Sequence, residues 1–321
     1  MQALIQLSSR APNLPGVNSD QSGSTRLRVT VLIGCGVLTL LLGAHELVPD
    51  ISGAGTLLDS AAPWLGLLIP VLVVLGLVGR TRAAAAVLVP VVVWCAAFGT
   101  ALLPRASASG DLRVVSQNVF AANENPAATA ADLAATGADV IGVQELTGPA
   151  RSAVGEALGA DYRHHELLGT VGVWSRYPIE AVEPVDLGMG WTRALRARIR
   201  TPSSPIAVYV AHLPSLRPDS VAERNRGLAE LRTALVADRA ERVVVLADLN
   251  TATTDREMGP LLRTLREAEP AGFGFTWPAV APLVRLDHVL YRGITSTGAD
   301  VVETRGSDHR AVLADFAFDH A

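Results

Sequence analysis

The chain has 321 residues, enough for more than one average domain, and 18% of them are charged, against about 25% in ordinary soluble proteins. This composition excludes disordered, collagen-like and disulfide-scaffold classes, and the charge deficit is local: residues 29–104 hold only Glu46, Asp50, Asp59, Arg80 and Arg82. The net charge is −4; beyond residue 104 there are 22 Arg, 27 acidic residues and no Lys, so that part has no long-range basic field to attract a polyanion.

Residues 1–25 are polar, rich in Ser, Pro and Gly, and predict a disordered cytoplasmic tail. Three apolar segments follow at 29–48, 61–79 and 83–103, the last two without any charge. A bilayer core about 30 Å thick needs roughly 20 helical residues, so residues 26–104 predict a three-helix transmembrane region. Arg26 and Arg28 before an apolar run also fit a signal peptide, but no convincing small-x-small cleavage site follows. Arg10, Arg26 and Arg28 precede the first segment, and Arg80 and Arg82 fill the turn between the second and third. The loop between the first two carries Asp50 and Asp59 and no basic residue, so the expected protein is a multi-pass cell-membrane protein whose C-terminal part is extracytoplasmic.

Residues 105–110 read as a linker and residues 111–321 as a domain with a substantial core. Short strands are expected at 112–119, 140–144, 172–175, 194–199, 206–212, 243–249, 286–291 and 311–316, with helices at 126–136, 149–158, 220–238 and 256–268. Strands mixed with helices, with several direct strand-to-strand links, predict an α/β layered sandwich rather than a doubly wound sheet. Both cysteines, Cys35 and Cys95, lie in the apolar segments, so the domain has no disulfide, thiolate metal site or cysteine nucleophile. Ser175 lacks a G-x-S-x-G setting and is no esterase nucleophile.

Polar residues capable of chemistry recur at the strand tips. Asn118 ends VVSQN, Glu145 follows DVIGVQ, His212 ends VYVAH, and Asp248 and Asn250 end VVVLADLN. Asp287 opens LDHVLY, and Asp308 and His309 precede the last strand in GSDHRAVL. A buried apolar strand holds its tip rigidly, and six such tips carrying Asn, Glu, His or Asp exceed what strand ends require. Carboxylate and amide oxygens without Cys suit a hard cation, Mg²⁺ or Mn²⁺. A His beside a carboxylate can take a proton from water. The combination points to phosphoester hydrolysis. His164, His165, His288 and His320 lack such support and read as structural.

The ordered set QN, QE, AHL, ADLN, LDH and GSDH, with GVWSRYPI and TWP between them, resembles the endonuclease/exonuclease/phosphatase superfamily over residues 112–317. The resemblance implies a four-layer α/β/β/α sandwich of the DNase-I-like kind, here preceded by three transmembrane helices. It implies that Glu145, with Asn118, holds the divalent metal and that Asp308 lies at its edge. His309 would be the general base oriented by Asp287. Asp248 and Asn250 would bind the scissile phosphate and the nucleophile or leaving group. His212 would donate to the phosphate or protonate the leaving oxygen. The basic or aromatic loops with which nuclease members enter a DNA groove have no clear equivalent.

Three spans ahead of an outward-facing domain confine it to the membrane surface, where lipid-linked phosphates are concentrated. That architecture is similar to the VanJ-type membrane proteins associated with teicoplanin resistance. The expected partners are the bilayer and, as substrate, a phosphorylated lipid or envelope precursor; no protein partner is inferred. The alternatives are a tethered nuclease acting on extracellular nucleic acid, which the acidic charge disfavours, and an inactive domain that binds an envelope ligand.

Overall fold

The computed structural model describes residues 19–80, 82–105, 107–217 and 219–318. The expected tail therefore lies mostly outside the described residues; helix α1 (Ser19–Ala44) begins within its last part. A 3-10 turn (His45–Leu47) and α2 (Ala54–Ala61) lead through a second 3-10 segment (Ala62–Leu67) into α3 (Leu68–Val78). A third (Arg82–Val87) leads into α4 (Leu88–Phe98). Continuous helical runs at Gly23–Leu47, Ala54–Val78 and Arg82–Leu102 are each long and apolar enough to cross a membrane. They pack through Val31, Cys35, Leu38, Leu42, Leu72 and Val87, while Leu40, Leu77 and Leu88 on their outer faces are exposed. An apolar outer surface of this kind is stable in lipid and costly in water.

The remaining chain forms β1 (Leu112–Asn118), α5 (Pro126–Ala135), β2 (Val140–Gln144), α6 (Gly148–Leu158), β3 (His164–Leu168), β4 (Val171–Ser175), β5 (Ile179–Pro184), β6 (Ala194–Arg200) and β7 (Pro205–His212). There follow α7 (Val221–Ala237), β8 (Val243–Asp248), α8 (Met258–Leu262), β9 (Arg266–Glu267), β10 (Asp287–Arg292), β11 (Thr295–Val302) and β12 (Ala311–Ala317). Two six-stranded mixed sheets result, in the orders β11-β12-β1-β2-β4-β3 and β5-β6-β7-β8-β10-β9. In each, one parallel pair lies near the middle, β1 with β2 and β7 with β8.

Strand periodicity builds the layers. Val114 faces the other sheet and packs with Val208, Val210, Leu246 and Val289, while its neighbour Val115 packs outward with Leu133 of α5 and Val154 of α6. On the second sheet, Tyr209 and Val245 pack outward with Leu228, Leu231 and Leu235 of α7. Both faces of the central strands are covered, which explains their continuous apolar runs. The chain therefore has the expected α/β/β/α sandwich. Gly142 lets the sheets approach closely at this point: a Cβ there would lie 2.7 Å from Leu246 Cβ.

Two differences from the sequence reading concern the sheet edges. Strands β3, β5, β9 and β11 lack the apolar signature because they are edge or near-edge strands with half-exposed side chains. The helix expected at 256–268 is only the five-residue α8; Arg266 and Glu267 pair instead with Tyr291 and Leu290 of β10. Tertiary pairing there overrides local helix propensity.

The linker residues run along the domain: Ala108 N donates to Thr297 O, and Arg105 is ion-paired with Glu269. The domain also docks directly on the apolar helical bundle. Arg256 donates to Asp59 (Nε 2.6 Å, Nη2 3.0 Å) and to Val48 O, and Arg224 Nη2 donates to Thr56 Oγ1 at 3.2 Å. Trp64 Nε1 donates to Leu283 O at 2.8 Å, and its ring stacks on Phe275.

Candidate active site

The sheet register brings the polar tips together. His212 is the register partner of Asp248 across β7 and β8, and Asp248 is the partner of Asp287 across β8 and β10. On the facing sheet Asn118 pairs with Gln144, placing Glu145 one residue beyond. Ser307 Oγ donates to Asn118 O and accepts from His309 N, which ties the segment before β12 to the end of β1. Gln144 Nε2 bridges the sheets by donating to both Ser116 Oγ and Leu246 O.

Asp248 Oδ2 is the hub of the cluster. It accepts from Asn118 Nδ2 at 2.8 Å and from Asn250 Nδ2 at 3.3 Å, and lies 3.7 Å from His212 Nε2 and 4.0 Å from His309 Nε2. Asn118 Nδ2 also donates to Glu145 Oε1 at 3.0 Å, and Glu145 lies 3.5 Å from His212. His309 Nδ1 is 2.8 Å from Asp287 Oδ2, so Asp287 fixes the ring and leaves Nε2 facing Asp248. Asn118, His212, Asp248, Asn250, Asp287 and His309 are all buried, and Glu145 is partly open. Glu145 (φ 59°) and Asn250 (φ 47°) sit in the left-handed region, which costs on the order of 1 kcal/mol or more for a residue with a Cβ.

The buried charges perturb one another. Burial opposes protonation of His309, but the Asp287 and Asp248 carboxylates outweigh it and push its pKa up to about 10. Burial, then the neighbouring Asp287 charge, raises Asp248. His212 is driven well below its ordinary value by burial, Arg193 and His309, and is therefore neutral.

Two groups could hold a cation: Glu145, His212 and Asp248, and Asp248, Asp287 and His309, with ligand atoms within 4.8 Å of one another in each group. Among the described residues, Asp287 Oδ1 and Asp308 Oδ1 are buried oxygens without a hydrogen-bond donor. Crowded carboxylates with spare lone pairs, and no sulfur, fit a hard divalent cation. Asp308 belongs to neither group; its Oδ2 faces Trp277 Nε1 at 3.4 Å.

The sequence reading missed Arg193. Its Nη2 lies 2.6 Å from His212 Nδ1, and its guanidinium packs over the Trp191 ring. Arg196, Arg198 and Arg200 follow it on β6 and are ion-paired to Asp238, Glu183 and Glu180. His288, read as structural, is buried between Glu267 Oε1 and Thr251 O and braces the loop after Asn250. His164 and His165 lie on β3, away from the cluster; His320 lies outside the described residues.

Face-packed mixed sheets, outer helices and acidic, His and Asn side chains at the central strand tips define the DNase-I-like class of α/β/β/α domains. Residues 115–309 match the Endonuclease/Exonuclease/phosphatase family, and the chain belongs to it. A search of curated proteins finds no match at the sequence level. Solved structures share the fold at low identity. Sphingomyelinase C from Streptomyces griseocarneus superposes with a TM-score of 0.51 at 20% identity, covering 63% of this chain and 98% of its own. TDP2 from D. rerio, complexed with single-strand DNA product, gives 0.52 at 19%, covering 64% and 98%. A double mutant of beta toxin from Staphylococcus aureus with bound magnesium ions gives 0.53 at 16%, covering 64% and 99%.

Proposed function

We propose that the protein is a membrane-anchored, extracytoplasmic, divalent-metal-dependent phosphoesterase that hydrolyses a phosphate ester or pyrophosphate on a lipid or envelope precursor. The observation that carries this reading is the junction of an Asp287–His309 pair and an Asn118–Glu145–Asp248 cluster with a domain docked on three apolar helices. The architectural resemblance to VanJ-type proteins adds glycopeptide resistance as the physiological setting to test.

In this reading Glu145 and Asn118 would hold Mg²⁺ or Mn²⁺, with Asp308 at the edge, and such a cation when bound would supply positive charge to polarise a phosphoryl oxygen. His309 Nε2 takes the proton of the attacking water, while Asp287 holds Nδ1 and stabilises the imidazolium that forms. Asp248 and Asn250 would bind the scissile phosphate and the nucleophile or leaving group, with Asp248 held in place by Asn118 and Asn250. A neutral His212 donates one hydrogen bond to the phosphate or the leaving oxygen. Arg193 adds the cation that an anionic substrate needs beside His212.

The test uses the full chain in lipid nanodiscs with Mg²⁺ or Mn²⁺, offered polyprenyl pyrophosphate in the bilayer and supercoiled plasmid in parallel. Phosphate release abolished by EDTA and by His309→Ala is the expected result. Preferential nicking would make the protein a tethered nuclease, and no turnover of either substrate with intact glycopeptide binding would make it a binding domain.

A further inference from the structure

The loop from Gly272 to Val284, immediately before β10, connects the membrane bundle to the mouth of the site. Its depth can be estimated from helix geometry. A 3-10 segment rises about 2 Å per residue and an α-helix about 1.5 Å. A core about 30 Å thick, measured from Val78 back through the second span, therefore ends near Ala62; from Arg82 through the third span it ends near Phe98. With Val78 and Arg82 taken as one face of the core, Trp64, Trp94 and Phe98 fall within about 6 Å of the other face, on the side of the C-terminal domain and near the depth that aromatic rings favour.

The loop meets those aromatic residues. Phe273 packs 6.4 Å from Trp94 and 6.5 Å from Phe98, Phe275 stacks on Trp64 at 5.5 Å, and Leu283 O accepts from Trp64 Nε1. On the same loop Val280 is 95% exposed and Leu283 52% exposed. Leaving such side chains in water is unfavourable, whereas a lipid interface would take them up. The other side of the loop grips the catalytic segment: Ala279 N donates to Asp308 O, Arg310 Nε to Ala279 O and Arg310 N to Thr276 O.

We infer that the loop around Val280 and Leu283 is a membrane-binding shelf that lies in the interfacial layer of the bilayer the chain itself crosses. It holds the mouth of the site, one loop width away, against the lipid headgroups. The consequence for catalysis, that the substrate phosphate is taken from the plane of the same bilayer, rests on the function proposed above.

The test uses the full chain with Cys35→Ala and Cys95→Ala, in nanodiscs of phosphatidylcholine and phosphatidylglycerol. A polarity-sensitive fluorophore is placed at Val280→Cys, and at Val236→Cys near the far end of α7 as control. Quenching by lipids spin-labelled just below the headgroup should be several-fold stronger at position 280, with iodide quenching reversed. Equal quenching at both positions, or iodide-accessible fluorophore at 280, would overturn the shelf. In parallel, Val280→Asp should lower turnover of bilayer-embedded polyprenyl pyrophosphate by about tenfold and leave a soluble aryl phosphodiester within about twofold. Equal loss on both substrates would overturn the link between shelf and substrate delivery. If the unmutated chain turns over neither substrate while position 280 is lipid-quenched, the proposed activity fails and the shelf stands.

Discussion

Asp287 does two things to His309: it fixes the ring through Nδ1 at 2.8 Å, and its charge, with that of Asp248, lifts the imidazole pKa to about 10 against the effect of burial. In the proposed role of general base His309 must be neutral to act, so a raised pKa would displace the acid limb of the rate profile toward alkaline pH. Asp287→Asn removes the charge, lowers the His309 pKa and should move that limb to lower pH. The plateau should fall by about 10²–10⁴-fold because Asn no longer fixes the productive tautomer or stabilises the imidazolium that forms. A kcat/KM profile whose limb does not move would refute the pairing as the source of the shift. Arg193 provides a second check. Its loss should lower kcat/KM by roughly 10–100-fold, the worth of a charge-assisted hydrogen bond. It should also raise the His212 pKa, since burial comes first but Arg193 is the next cause holding it down; an NMR titration of His212 reads this directly. The polar strand tips were legible in the sequence because each interrupts an apolar run. Arg193 was not, because it stands just ahead of a strand in which every second residue from 196 to 200 is also Arg, and only the fold separates the one beside His212 from those paired on the surface.

At the scale of elements, the same logic decided what could be foreseen. Central strands such as β1, β7 and β8 are buried on both faces and announce themselves by composition, whereas β3 and β5 are exposed or half-exposed along their whole length without a two-residue alternation, which local sequence does not distinguish from loop. The short β9 is held by side chains rather than by propensity. Glu267, its second residue, is almost wholly buried against Arg285 at 3.1 Å and His288 at 2.5 Å. Burial opposes its charge, but Arg285 and His288 outweigh this and hold its pKa down to about 2. A carboxylate whose folded pKa is depressed stabilises the fold above its unfolded pKa and loses that contribution as pH falls toward the folded value. Glu267 should therefore contribute on the order of 3 kcal/mol above pH ~4.5, fading toward pH ~2. Glu267→Gln should lower the melting temperature most near neutral pH, and the gap from the unmutated chain should close on acidification. A gap independent of pH would mean that packing rather than charge holds β9.

For the whole molecule, the question is whether the C-terminal domain swings on a tether or is fixed to the apolar helices. The sequence shows a polar stretch at residues 105–110 and two isolated acids between the first two spans; nothing local in it reveals that one of those acids is a docking point. In the fold Asp59 is fully buried, accepts from Arg256 Nε and Nη2 and lies 2.7 Å from His45 Nδ1, while its carbonyl accepts from Thr254 Oγ1. Thr254 and Arg256 belong to the segment that follows Asn250, so the same short stretch of chain carries a candidate site residue at one end and the junction with the helical bundle at the other. Deleting one partner of a buried ion pair costs about 3–5 kcal/mol. Asp59→Ala should therefore release the junction without touching the site: cleavage of the full chain in nanodiscs by a protease at residues 105–110 should accelerate. Turnover of a soluble phosphodiester should stay near its original rate, while turnover of a bilayer substrate should fall, because a freely swinging domain loses the fixed approach that raises effective concentration. The reversed pair, Asp59→Arg with Arg256→Asp, should recover part of the protease resistance. If Asp59→Ala leaves both proteolysis and bilayer turnover unchanged, the aromatic contacts of Trp64 and Phe273 hold the domain by themselves, and the buried ion pair is dispensable to its placement.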